Sequence, residues 1–273
     1  MSLPANSAAA GSTAPKAIIG VSLKMYFGYA RTMDYCREVA GIALGHPAVQ
    51  GGDIELFVLP VLPALPEAAR ILGPAGAATG AQNIFWEDEG AYTGEVGGKL
   101  VAELGGRYAE IGHAERRMFG ENDETIRLKT AAAYRSGLIP VLCVGAFAAV
   151  SPEEAIAQCT AEIDAALNRA ASLGPAGRTI VAFEPQWAIG APEPATPGYI
   201  SAVITGLDAH LRALPGQEDS RVIYGGSAGP GLITQLDSAV AGLFLGRFAH
   251  DPAALKTILD ETAARLAEAE VPA

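Results

Sequence analysis

The stretch Val181-Ala-Phe-Glu-Pro-Gln-Trp-Ala-Ile-Gly190 ends an apolar run at one acid, Glu184, and continues into a loop of Pro, Trp and Gly. Glu184 therefore stands where a buried strand meets solvent. Stripping water from a carboxylate disfavours its charged form and raises its basicity, and a base so placed suits abstraction of a proton from carbon. Other chemistry-bearing residues occupy similar boundaries. Lys24 comes one residue past an apolar run, where its ammonium can offer a fixed positive charge to a developing anion. Gly112-His113, Gly225-Gly226-Ser227 and Gly246-Arg247 close three further runs.

Bringing these residues together requires elements whose ends point the same way. Eight short apolar or β-branched runs read as strands: Ala17–Leu23, Ile54–Leu59, Ala77–Ala81, Tyr108–Ile111, Leu138–Cys143, Thr179–Phe183, Arg221–Tyr224 and Gly242–Leu245. Each is followed by a longer Ala-rich helical stretch, the alternation of parallel βαβ units. Helix starts are marked at Ser151-Pro-Glu-Glu154, Thr196-Pro-Gly and Asp251-Pro-Ala-Ala, each a capping residue followed by a first-turn Pro. Eight units in a chain of 273 residues favour a single α/β domain, a closed (β/α)8 barrel over 16–268, about the usual size for that architecture. In such a barrel chemistry sits at the carboxyl ends of the strands, where all the residues above fall.

Composition narrows the function classes. The net charge of −11 disfavours nucleic acid and anionic membranes as partners, because phosphate-backbone affinity needs clustered Lys and Arg. Any phosphate bound must be small and held locally. Half the residues are hydrophobic, yet no run approaches the ~20 apolar residues of a membrane span, so a soluble protein with a sizeable core is expected. Met1–Pro15 is Ala/Ser/Gly-rich without a basic start or apolar segment and reads as a disordered extension rather than a secretory signal. The three cysteines, Cys36, Cys143 and Cys159, are odd in number and lack metal spacing, which points to a reducing, cytoplasmic setting.

Taken in order, these motifs resemble the triosephosphate isomerase family from about Ile18 to Asp251. Val21-Ser-Leu-Lys-Met25 is similar to its Asn-Trp-Lys-Met segment, and Ala81-Gln-Asn83 with Gly90-Ala-Tyr-Thr-Gly-Glu95 to its third loop. Ile111-Gly-His-Ala-Glu-Arg-Arg117, Cys143-Val-Gly145, Phe183–Gly190 and Tyr224-Gly-Gly-Ser227 follow. The resemblance implies an isomerase, an intramolecular oxidoreductase acting on a small phosphorylated sugar without a cofactor or metal. Glu184 would be the base and Lys24 the fixed cation. His113, at a helix start, would be a neutral hydrogen-bond donor, a tuning for which this family is itself the standard illustration. Glu115 would hold Lys24, unless it is a helix-surface acid, and Cys143 would be a supporting residue. Gly190, Gly225 and Gly226 would bring backbone N–H groups to the phosphate through close approach and positive φ, with Gly246 in the last phosphate loop. Ser227 would add a hydroxyl and a helix-start amide. Thr93 resembles the residue that reaches across the family's dimer interface, so a homodimer is implied; a plain surface loop is the alternative.

Three departures bear on the sugar. Ser22 and Leu23 stand where the family has Asn and commonly Trp, and the shorter Ser22 leaves room near the reacting carbons. Arg247 replaces a Gly, adding a guanidinium that could pair bidentately with phosphate or turn outward to solvent. Pro192 and Pro194 restrict the far hinge of the loop after Gly190. Ser22 with Gly246-Arg247 is similar to a branch of the superfamily that isomerises four-carbon erythrulose phosphates in polyol breakdown. Room and a polar partner suit an extra hydroxyl-bearing carbon, so the expectation leans to a tetrulose phosphate. The alternatives are the triose phosphates of glycolysis and a barrel that has lost catalysis and serves as a scaffold.

Overall fold

The computed structural model describes residues 15–171, 173–174, 176–188 and 195–269. All but the last residue of the expected N-terminal extension falls outside the described residues, as do Gly190, Pro192 and Pro194. Eight strands form: β1 Ala17–Ser22, β2 Ile54–Leu59, β3 Ala78–Ala81, β4 Tyr108–Ile111, β5 Ile139–Val144, β6 Ile180–Phe183, β7 Arg221–Tyr224 and β8 Gly242–Leu245. They pair in sequence order, all parallel, and β8 returns to β1 to close the barrel. The strands differ from the sequence expectation by one residue at a few ends. At Leu23 the amide still bonds the Leu59 carbonyl at 3.0 Å, but the next residue turns out of the strand.

A closed barrel buries both strand faces, and the period of two decides which face each residue takes. Ile18, Phe57, Leu59, Tyr108, Val141, Cys143, Ile180, Ala182, Ile223 and Phe244 make the inner core. The alternate residues, such as Val21, Ala109, Ile111, Val181 and Phe183, pack outward against the helices. Phe57 stacks on Tyr108 with centroids 4.3 Å apart and fills the centre so completely that a Cβ on Gly20 would lie 2.3 Å from its ring. The amino-terminal mouth is plugged by Glu55, which accepts from Arg178 at 2.5 and 3.2 Å and from the Tyr108 hydroxyl. Continued two residues at a time, the inward parity carries Ile18 to Ser22, Tyr108 to Glu110, and Ile180 through Ala182 to Glu184. The interior thus ends in polar groups at one mouth.

The outer helices start as their sequences predict. Ser151 Oγ accepts from the Glu154 amide at 3.2 Å while Glu154 Oε2 accepts from the Ser151 amide at 3.1 Å, a reciprocal cap for the helix Pro152–Ala171. Thr196 Oγ1 accepts from the Tyr199 amide at 3.4 Å and Asp251 Oδ1 from the Ala253 amide at 3.0 Å. Each therefore satisfies an amide that the first helical turn leaves unpaired. Among the described residues, no helix is long and apolar enough to cross a membrane.

Candidate active site

A cavity of about 280 Å³ opens at the carboxyl ends of the strands, lined by Ser22, Lys24, Glu110, His113, Glu115 and Glu184, and by Gly225, Gly226, Ser227, Gly246 and Arg247 after β7 and β8. Lys24 is held there by strain. Its φ of 46° is the one positive value at a non-glycine among the described residues, a conformation that costs energy unless its surroundings fix it. Gln82 does so, donating from Nε2 to the carbonyls of Lys24 and Leu59, both at 3.0 Å. The turn aims the ammonium into the mouth, where Nζ donates to Glu115 Oε1 at 2.9 Å. Burial opposes the charge on Lys24, but the hydrogen bond and charge of Glu115, with Glu184 and Glu110 beyond, more than offset it and hold the ammonium above its usual pKa.

His113 caps the short helix Ala114–Met118, and its Nδ1 accepts from the Glu115 amide at 3.1 Å. An acceptor cannot carry a proton, so the ring's single proton lies on Nε2, facing the cavity. Glu115 Oε2 is 3.7 Å from Nδ1, but the amide at that nitrogen rules out an ion pair. Burial, reinforced by Lys24, pushes the His113 pKa down to about 4. The imidazole is therefore neutral at physiological pH, and desolvation and a lysine contribute to this alongside the helix-start amide.

Glu184 leaves β6 with its backbone still in the ladder, its amide bonding the Val144 carbonyl at 2.8 Å. The surrounding backbone comes in unusually close. A Cβ on Gly145 would lie 1.8 Å from the Glu184 carbonyl oxygen, and one on Gly225 would lie 2.7 Å from Glu184 Cγ. The carboxylate is 4% exposed. Oε2 has no hydrogen-bond partner and lies 3.4 Å from His113 Nε2. Burial, then the charge of Glu110, raise the Glu184 pKa to about 8 against the opposing pull of Lys24 and a hydrogen bond with Cys143.

Glu110 was not singled out in the sequence, yet it sits at the centre of the site. It faces inward from β4, is 4% exposed, and its Oε2 accepts from Ser22 Oγ at 2.9 Å. The room expected beside the short Ser22 side chain is thus partly taken by a carboxyl group. Burial raises the Glu110 pKa to about 7, with Ser22 and Lys24 opposing. The signal was present: a lone acid in the otherwise apolar Tyr-Ala-Glu-Ile, two residues from the inward Tyr108.

The glycines after β7 and β8 behave differently from expectation. Gly225 and Gly226 do not adopt positive φ. They are required by space, since a Cβ on Gly226 would lie 2.3 Å from the Tyr224 hydroxyl. Gly246 meets no such constraint. Ser227 begins no helix, the first helical segment after it being the short 3-10 turn Ile233–Gln235. Its hydroxyl donates instead to the Ala188 carbonyl at 3.1 Å, tying the end of β7 to the segment after β6. Arg247 is exposed on the cavity rim. Thr93 is exposed on the loop after β3 and lies outside the cavity.

Residues 17–262 match the profile of the family described as Triosephosphate isomerase. The chain is 53% identical over 247 residues to the L-erythrulose-1-phosphate isomerase of Pectobacterium atrosepticum, covering 90% of this chain and 95% of that protein. It is 36% identical over 240 residues to the protein of the same name from Mesorhizobium japonicum, covering 85% and 91%. With the triosephosphate isomerase of a Synechococcus strain it shares 34% over 239 residues, covering 86% and 92%. Among solved structures, the triosephosphate isomerase of Bartonella henselae superimposes with a TM-score of 0.75 at 26% identity, covering 91% of this chain and 99% of that one.

Proposed function

Because the chain belongs to the triosephosphate isomerase family and is a sugar-phosphate isomerase, we propose that it moves the carbonyl of a four-carbon ketose phosphate, L-erythrulose 1-phosphate, between C2 and C3. The observation that carries the chemistry is the pairing of a dry carboxylate and a neutral imidazole, Glu184 Oε2 and His113 Nε2, 3.4 Å apart on one cavity wall. The names of the 53% and 36% identical relatives support the substrate, as does the polar Ser22–Glu110 pair deep in the cavity.

The reaction follows from these groups. Glu184 removes the C3 proton, and the electrons of that C–H bond flow into a C2–C3 double bond as the C2 carbonyl oxygen becomes an enediolate oxygen. His113 Nε2–H donates to that oxygen and Lys24 neutralises its charge, so stabilisation is preorganised where charge develops. Glu184 then returns its proton to C2, while the proton of the C3 hydroxyl passes to the C2 oxygen by way of His113. Atoms balance, no electrons leave the substrate, and the carbonyl ends at C3. Numbered from the other end, the product is again a 2-ketose, now phosphorylated at C4. An aldose, the product of the corresponding step on a triose, does not form.

Phosphate would be held by backbone N–H groups of the Gly225-Gly226-Ser227 turn and by Gly246-Arg247. The protein acts as a homodimer in this reading, with Thr93 meeting the partner. Steady-state rates on L-erythrulose 1-phosphate and on glyceraldehyde 3-phosphate test the substrate assignment. A higher kcat/KM for the tetrulose is expected, and a strong preference for the triose would overturn it. Glu184→Gln, which keeps size but not basicity, is expected to lower kcat by about 10²–10⁴-fold, the range for loss of a general base. Undiminished turnover would remove Glu184 from the mechanism.

A further inference from the structure

The carboxyl of Glu110 has no part in the steps above, yet it is buried in the cavity at a position where the barrel needs no charge. Burying a carboxyl among apolar neighbours is costly unless it is partnered, and an aliphatic residue would fill the inner face of β4 at no such cost. Ser22 satisfies one oxygen at 2.9 Å. The placement has direction: in an eight-stranded barrel β4 lies across from β8, so Glu110 faces the cavity from the wall opposite Gly246-Arg247. A substrate anchored by its phosphate at the β7 and β8 loops, with its reacting carbons lying over the wall formed by Glu184 and His113, extends its phosphate-free end toward β4.

We propose that Glu110, positioned by Ser22, is the specificity-determining residue that hydrogen-bonds the terminal hydroxymethyl group of a four-carbon ketose phosphate. This rests on the tetrulose reading of the site. A triose phosphate ends one carbon earlier and cannot make the bond. An ionised carboxylate accepts from the sugar hydroxyl and a protonated one donates to it, so the pairing survives either state. A site built to hydrogen-bond a substrate hydroxyl discriminates strongly against the analogue without it, because its own buried polar group is then left unpaired.

The test is the ratio of kcat/KM for L-erythrulose 1-phosphate to that for glyceraldehyde 3-phosphate, measured for the wild type, Glu110→Val, Glu110→Gln and Ser22→Ala. Glu110→Val is expected to lower the ratio by about 10-fold or more, the worth of a hydrogen bond to a charged group. Glu110→Gln, which can still donate and accept, is expected to keep most of the ratio, and Ser22→Ala to lower it in the same direction as Glu110→Val by loosening the carboxyl. A ratio unchanged in Glu110→Val and Ser22→Ala, whatever happens to absolute rates, overturns the proposal while leaving the tetrulose reading standing. Should Glu110→Val fail to fold, Ser22→Ala decides alone. A wild type inactive on the tetrulose overturns that reading itself, and the proposal with it.

Discussion

Glu184, the proposed base, sits in a cavity that already holds two other carboxyls, and its pKa follows from that company. Desolvation and Glu110 on β4 push it up, Lys24 after β1 and the Cys143 thiol on β5 pull it down, and Glu115 beside His113 adds a smaller push up, with a net value of about 8. A base is competent when deprotonated, so kcat/KM should rise with pH through a limb near 8. Removing the like charge with Glu110→Gln should move that limb to lower pH; a limb that stays put would show that Glu110 does not act on Glu184. His113, already neutral far below this range, should contribute no limb between pH 6 and about 9. At this scale the sequence was informative where chemistry coincided with an interruption of pattern. Glu184, His113 and Lys24 each follow an apolar run and were readable. Glu110 lies inside one, where a polar residue reads as noise until the inward parity of a closed barrel is known. Gln82 was readable only as a member of a loop motif, because its role, bracing the strained Lys24, is made by contacts 58 and 23 residues away.

The strands and loops fix how closely the reacting groups approach, and the glycines mark where backbone limits that approach. Gly145 on the loop after β5 lies directly against the Glu184 carbonyl, whereas Gly225 touches the Glu184 side chain. The two should fail differently. Gly145→Ala forces a side chain into backbone and should lower Tm by several degrees, since overpacking of a rigid site costs about 1–3 kcal/mol. Gly225→Ala should instead displace the carboxylate, lowering kcat more than Tm. Thermal unfolding and steady-state rates on the same two variants check this, and equal effects would contradict the assignment of the two contacts. All eight strands were legible because short β-branched runs are bounded by Gly and capped helices. The conformations of Gly225 and Gly226 were not, because a Gly pair at a strand end looks the same whether it serves positive φ or close packing. What decides between them is Glu184, brought against Gly225 from the neighbouring strand, and the way the Tyr224 ring at the end of β7 folds back over Gly226.

For the whole molecule, the cost of the site is paid in stability. Glu110 and Glu184 both have folded-state pKa values, about 7 and about 8, above the ordinary carboxylate range. Groups raised in this way stabilise the fold when protonated, and that contribution is complete below the unfolded pKa and lost as pH climbs through the folded values. Stability should therefore decline between roughly pH 4.5 and 8 on account of these two groups. Glu184→Gln should unfold a few degrees higher than wild type at about pH 9, with a smaller difference at about pH 5, as differential scanning calorimetry would show. The opposite ordering would mean that the carboxylate is paired better than the structure indicates. Assembly belongs to this scale as well. The loop bearing Thr93 presents exposed surface, and light scattering should return twice the chain mass; a monomeric mass would remove the proposed interface. Closure of the barrel followed from counting eight units, whereas nothing in a single chain's pattern identifies its partner surface.

The central claim is that Glu184 transfers a proton between neighbouring carbons of a phosphorylated ketose. Nuclear magnetic resonance in deuterium oxide reads this directly, with L-erythrulose 1-phosphate as substrate and wild type and Glu184→Gln compared. To the extent that the Glu184 carboxyl exchanges its proton with solvent before returning it, deuterium should appear at the carbon next to the migrating carbonyl as product accumulates, and both incorporation and isomerisation should all but vanish in Glu184→Gln. Deuterium incorporation and isomerisation undiminished in Glu184→Gln would contradict it.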